Sequence, residues 1–179
     1  MIYLLRHGQT DWNKAGRMQG QTDIPLNQIG IESAYRAVES VLQKKITSIY
    51  SSDLLRAKQT AEIINSYLNV PLNFDKRLRE IAYGDIEGKL KEEITPEMWD
   101  LFSEAPEKIN AESFEKIYDR VKSFFSELDY KENIMVVTHA GFIRMALYFN
   151  HHKQSFNLDE YKDYQYLKIE NTAPIPLDF

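Results

Sequence analysis

The chain of 179 residues contains no cysteine, which excludes disulfides, thiolate nucleophiles and cysteine-based metal sites. It also lacks an excess of basic residues. With a formal net charge of -5, it is no nucleic-acid binder working through a broad positive surface. Lys44-Lys45 is a short pair near a helix end, and no basic stretch interleaves aromatics. An anionic ligand must therefore be caught by a few local cations and not by the overall field. No segment approaches the length needed to cross a bilayer. The first apolar run, residues 2–5, ends after four residues and has no basic stretch before it, so it does not read as a signal peptide. There is no Asn-x-Ser/Thr sequon, no internal repeat and no low-complexity tract. What is present is an ordinary globular composition, 43% apolar and 27% charged. The expectation is one soluble, cytoplasmic domain spanning residues 1–179, with neither membrane nor nucleic acid as partner.

Apolar residues recur at helical spacing in three segments. Ile31, Ala34, Tyr35, Val38, Val41 and Leu42 form one stripe, after the break at Pro25-Leu26-Asn27. Leu54, Ala57, Ala61, Ile64 and Leu68 form a second, with Ser51-Ser52-Asp53 as candidate N-cap residues. Phe114, Ile117, Tyr118, Val121, Phe124, Phe125 and Leu128 form a third, and a further helix is expected after Gly141. Short apolar runs at 2–5, 46–50 and 134–138 read as strands, and 164–170 alternates enough to read as a later edge strand. Strands alternating with helices predict a three-layer α/β/α sandwich, with a mostly parallel sheet covered on both faces. The polar run 89–112, with Pro96 and Pro106, interrupts this rhythm and reads as a short cap-like insertion.

Two predicted core strands end alike. Arg6-His7-Gly8 closes the first and Thr138-His139-Ala140-Gly141 closes the strand after residue 134. Ligands of open α/β sheets sit in the crevice at the carboxyl ends of the strands, so two imidazoles are expected to share one crevice. The strand before Ser51-Ser52-Asp53 delivers Arg56 to the same edge. Taken singly, each residue has an ordinary reading. A histidine after a strand is more often a turn residue, Arg56 lies off its helix's apolar stripe, and Glu80 is one charge in a charged stretch. Their combination is more specific.

That combination resembles the histidine phosphatase superfamily, on its phosphoglycerate mutase-like branch. The resemblance runs through Leu5-Arg6-His7-Gly8-Gln9-Thr10 with Trp12-Asn13, then Gly16-Arg17-Met18-Gln19-Gly20-Gln21-Thr22-Asp23. It continues with Ser51-Ser52-Asp53-Leu54, Arg56-Ala57 and Gln59-Thr60-Ala61. Leu78-Arg79-Glu80, Gly84-Asp85-Ile86-Glu87-Gly88 and Thr138-His139-Ala140-Gly141 complete it. It departs from the family pattern at Ala140, at Ile86 (often Trp) and at Asn110-Ala111-Glu112-Ser113, none of which belongs to the phosphate-binding set.

The resemblance implies that His7 is a nucleophile, taking a phosphoryl group to give a phosphohistidine that water hydrolyses. A neutral imidazole suits this near pH 7. It implies that Arg6, Arg56 and His139 bind the equatorial oxygens of the transferring group, where guanidinium forks serve better than lysine. Asn13, Gln19, Gly20, Thr22, Tyr83 and Ala140 complete the implied phosphate and substrate contacts, and Gly8 is expected to let the backbone approach the phosphate. Glu80 is the implied proton donor to the leaving oxygen, holding its own proton or sharing one with the substrate. Asp85 and Glu87 are the competing carboxylates. His151-His152 suggests a metal only superficially, since adjacent residues on a helix point apart, so no metal and no cofactor is expected. Met18, Gln21, Ile24, Tyr83 and Phe142 are expected to line the entrance. The short insertion and tail favour hydrolysis of a small phosphomonoester over a bisphosphate-dependent mutase. A phosphoprotein phosphatase or a silent phospho-ligand binder is a lesser alternative. α-Ribazole phosphatases are among the compact relatives resembled. The chain is expected to act as a monomer or homodimer.

Overall fold

The computed structural model describes residues 1–152 and 155–177. A five-stranded sheet in the order β3-β2-β4-β1-β5 forms its spine, with β1 Ile2–Arg6, β2 Ser48–Ser51, β3 Leu72–Phe74, β4 Ile134–Thr138 and β5 Pro174–Leu177. β5 pairs antiparallel with β1, and the other pairings are parallel. The helices are α1 Asp11–Ala15, α2 Gln28–Leu42, α3 Leu55–Leu68, α4 Pro96–Glu104, α5 Phe114–Ser126, α6 Ala140–His152 and α7 Leu158–Gln165. Among the described residues, no helix is long and apolar enough to cross a membrane.

The period-2 alternation of the strands divides the core between two faces. Leu5, Met135 and Val137 join Val38 and Val41 of α2 and Ala57, Ala61 and Ile64 of α3 on one face. Ile2, Leu4, Ile134 and Val136 join the apolar stripes of α5 and α6 on the other. Both central strands are therefore apolar up to their last residues, Arg6 and Thr138, as a sheet covered by helices requires. The predicted three layers are observed. Between β3 and α5, residues 90–109 contain α4 flanked by short 3-10 turns. Phe102 of α4 is buried, with its ring 5.2 Å from that of Tyr83 and 5.3 Å from that of Phe114.

Two local expectations are corrected. Residues 164–170 are not a strand. Asn157 caps α7 by accepting from the Asp159 and Glu160 N–H groups, and Tyr161 and Tyr164 pack against Tyr148 at helical spacing. The edge strand is instead Pro174–Leu177, where prolines are tolerated because an edge leaves one side of the ladder unpaired. Nor do Ser51-Ser52-Asp53 supply the N-cap of α3. Leu54 holds that position without a side-chain cap bond, Asp23 accepts the Leu55 N–H at 2.7 Å, and Asp53 pairs with Arg79 at 2.6 Å.

Candidate active site

β1 and β4 lie side by side in a register that sets Arg6 opposite Thr138. The His7 N–H donates to the Thr138 carbonyl at 3.0 Å, so the two strands end level and deliver His7 and His139 as neighbours. Their ring centroids are 5.1 Å apart. Both rings are buried. Burial, then the Arg56 charge, holds each imidazole well below the usual histidine range, so both are neutral near pH 7. His7 Nδ1 lies 2.6 Å from the Gly8 carbonyl. A carbonyl can only accept, so the ring proton sits on Nδ1 and the lone pair is on Nε2. His139 Nε2 is 2.9 Å from Ser52 Oγ, which already accepts the Leu54 N–H at 3.3 Å. When the serine hydroxyl donates to Nε2, His139 carries its own proton on Nδ1.

Arg56, in the first turn of α3, is fully buried and not a solvated surface cation. Its Nη1 donates to the Thr22 carbonyl at 2.9 Å and its Nη2 to the Gly20 carbonyl at 2.6 Å. Burial lowers its pKa to about 10, which leaves it charged at neutral pH. Arg6 donates through Nη1 to the Ile169 carbonyl at 2.7 Å. Arg6 Nε, Arg56 Nε and His139 Nδ1 are buried and have no hydrogen-bond partner. Buried donors of this kind are normally satisfied. Here they accompany two guanidinium groups at the ends of β1 and β2, and the chemistry of the set is that of an oxyanion receptor.

The loop carrying Gln19, Gly20 and Thr22 is held by Glu87. Its carboxylate accepts the Gln21 and Thr22 N–H groups at 2.9 and 3.0 Å, the Thr22 hydroxyl at 2.7 Å and the Tyr83 N–H at 3.0 Å. Glu87 is thereby committed to shaping the loop that seats Arg56. Gln19 is buried and accepts from the Thr10 hydroxyl at 2.9 Å. Asn13 uses Oδ1 to accept the Thr10 N–H in the capping box of α1, which leaves its amide nitrogen as donor. Asp85, the other competing carboxylate, is exposed and binds Asn110.

Glu80 is nearly buried and sits at the N-terminus of α6. It accepts the Ile81 N–H at 3.0 Å, the Gly141 N–H at 3.2 Å and the Phe142 N–H at 3.3 Å. A methyl group on Gly141 would lie 2.4 Å from Glu80 Oε1, so the glycine makes this approach possible. Ala140 begins α6, and its N–H is among the donors that a helix start leaves without an intrahelical acceptor. Arg120 pins the segment from behind, donating to the carbonyls of Arg77, Arg79 and Glu80 while pairing with Glu112 at 2.7 Å. Burial raises the Tyr83 hydroxyl well above its usual range.

The missing side chain of Gly8 makes room for the Gly30 carbonyl, 2.6 Å from where a Cβ would stand. One other expectation changes. Phe142 is fully buried and lines no entrance, although its N–H reaches Glu80. His151 and His152 close α6, and His151 is exposed. They contact Tyr164 and Glu160 of α7, at 2.7 Å and 3.2 Å. Among the described residues, no group of three or more His, Asp or Glu is placed to hold a metal ion.

Residue patterning missed a clamp on the peptide that follows the nucleophile. The His7 carbonyl accepts from Asn171 Nδ2 at 2.5 Å, and the Gly8 N–H donates to Thr60 Oγ1 at 3.0 Å. Both ends of one peptide unit are thus held by side chains remote in sequence. Thr60 stands within the Gln59-Thr60-Ala61 motif, but no sequence signal marks Asn171.

The profile of the histidine phosphatase superfamily (branch 1) matches residues 2–172. A phosphoglycerate mutase-like protein of Arabidopsis thaliana is 37% identical over 155 residues, 80% of this chain and 67% of its own length. A probable phosphoglycerate mutase of Yersinia pestis is 46% identical over 96 residues, 54% of this chain but only 45% of its own length. Among solved structures, a mycobacterial glucosyl-3-phosphoglycerate phosphatase complexed with VO3 superposes with a TM-score of 0.84 at 26% identity, covering 97% of this chain and 88% of its own. A Thermus thermophilus protein gives 0.70 at 31%, covering 84% of each chain.

Proposed function

The chain belongs to the histidine phosphatase superfamily, and on that premise we propose that it is a cytoplasmic phosphomonoesterase acting on a small phosphorylated metabolite through a phosphohistidine on His7. The observation that carries this reading is the grouping of unpartnered buried donors on Arg6, Arg56 and His139 with a neutral His7 whose Nε2 bears the lone pair. In the first half-reaction, Nε2 attacks phosphorus as the ester P–O bond breaks, and the leaving oxygen takes a proton through Glu80. Three backbone N–H groups already serve the Glu80 carboxylate, so that proton is expected to arrive with the substrate monoanion and be shared. In the second half-reaction, water attacks phosphorus, the P–N bond breaks, and Glu80 accepts the water proton. Arg6, Arg56 and His139 stabilise the charge on the equatorial oxygens throughout, each such donor being worth about 3 kcal/mol. No step calls for a metal.

The glucosyl-3-phosphoglycerate phosphatase likeness supports hydrolysis, whereas the curated relatives of mutase name support the mutase alternative. Inorganic phosphate release from a phosphomonoester panel in EDTA, for wild type and His7→Ala, tests the proposal. Release that survives EDTA and is lost in the variant is the expected result. No release from any ester by folded wild type overturns it and directs the next assay to bisphosphate-primed mutase activity.

A further inference from the structure

Ser51-Ser52-Asp53 runs off the end of β2 without capping α3, and its acidic member is engaged elsewhere. Asp53 holds Arg79 in a bidentate pair, Nε on Oδ1 and Nη2 on Oδ2, both at 2.6 Å. Both side chains are half-buried, and they join segments 26 positions apart. Arg79 is bonded to Glu80, the proton carrier of the proposed reaction. Asp53 follows Ser52, whose Oγ lies 2.9 Å from His139 Nε2. The pair thus ties the Glu80 segment to the loop that steadies His139.

Glu80 needs such a tie. Residues 79–83 lie between two 3-10 turns, Lys76–Leu78 and Gly84–Ile86, and belong to no helix or strand. Arg120 and Gln21 hold the carbonyls of this stretch, which fixes backbone oxygens and not the direction of the Glu80 side chain. Arg79 is extended, with φ -61° and ψ 157°. Neighbouring side chains of an extended chain leave it on different sides, so turning the chain to move Glu80 also swings Arg79. A planar two-point pair resists that turn better than a single contact. The tolerance is small, because the Gly141 and Phe142 bonds to Glu80, at 3.2 and 3.3 Å, are already long. We propose that Asp53 is a positioning residue that, through Arg79, holds the Glu80 carboxylate against the N-terminus of α6. Its kinetic consequence rests on the phosphatase reading, in which Glu80 handles the leaving-group proton.

Amide hydrogen exchange on the full chain tests the positioning without turnover. In Asp53→Ala, the Gly141 and Phe142 amides should exchange about ten-fold faster than in wild type, with β4 amides as the reference for global opening. Glu127→Ala removes a comparably short pair with Arg77, 2.7 Å long, and should leave those two amides unchanged. Kinetics gives a second readout. Asp53→Ala should lower kcat on glycerol 3-phosphate about ten-fold with KM nearly constant. p-Nitrophenyl phosphate, whose leaving group needs no proton, should be hydrolysed nearly as before. Asp53→Glu should recover part of both effects. If Asp53→Ala does not fold, Asp53→Asn carries the same test with the same outcomes. Gly141 and Phe142 amides that move no more than those of β4 overturn the proposal. An equal loss of kcat on both esters, as general loosening would give, overturns it too. Failure of wild type to release phosphate from either ester overturns the phosphatase reading alone, and the exchange result still decides the positioning.

Discussion

At the scale of single residues, the site depends on which nitrogen of His7 is free, and that is decided by backbone. The Gly8 carbonyl takes the Nδ1 proton, and the clamp of Thr60 and Asn171 fixes the peptide between the two residues. Thr60→Val keeps the shape but strands the buried Gly8 N–H, a loss of about 1–3 kcal/mol. It should lower the urea unfolding midpoint accordingly. It should also lower kcat with little change in KM, because the nucleophile is mispositioned while the arginines still bind phosphate. Unchanged kcat in a folded variant would show that the clamp is unnecessary. Arg6, His7, Arg56 and His139 were legible in the sequence, because only their combination at strand ends makes chemical sense. Asn171 was not, since its partner is a backbone carbonyl 164 positions away and backbone partners leave no trace in side-chain pattern.

At the scale of elements, the N-terminus of α6 is where the fold meets the chemistry. Its first N–H groups hold Glu80, and the absence of a side chain at Gly141 lets the carboxylate come that close. Gly141→Ala places a methyl 2.4 Å from Glu80 Oε1 and must displace it. The expected outcome is a fall in kcat of ten-fold or more on esters with poor leaving groups. p-Nitrophenyl phosphate, whose leaving group needs no proton, should be hydrolysed nearly as before. Stopped assays on the two ester types check this. The strands β1 and β4 and the helices α2, α3, α5 and α6 were readable because their apolar periods are long and clean. The region after residue 157 was misread. The tyrosines there satisfy both a period of two and a helical one, and packing on Tyr148 selects the helix. β5 was hidden by its prolines, which an edge strand accepts.

At the scale of the molecule, two neutral histidines are enclosed beside two cationic arginines, and this couples the site to global stability. Both imidazoles titrate well below their usual value when folded, so above about pH 6.5 neither state binds the proton and stability is unaffected. As pH falls below that, the unfolded chain takes up protons that the folded one refuses. Each histidine then costs about 1.4 kcal/mol per pH unit until its folded pKa is reached. Urea denaturation from pH 7.5 to 5 should show stability falling with acidity, and His7→Asn should remove about half of the part owed to these two residues. A variant as acid-sensitive as wild type would contradict the assignment.

The central claim is that His7 carries the phosphoryl group between two half-reactions. The direct measurement is intact mass after rapid acid-free quenching of wild type, His7→Ala and His139→Ala mixed with a good phosphomonoester. The account predicts one added phosphoryl group on wild type, labile to acid and stable to base, mapped to His7, and absent from His7→Ala. A wild type that releases phosphate at full rate with no phosphoenzyme at any time, or a His7→Ala variant that still turns over, would contradict it.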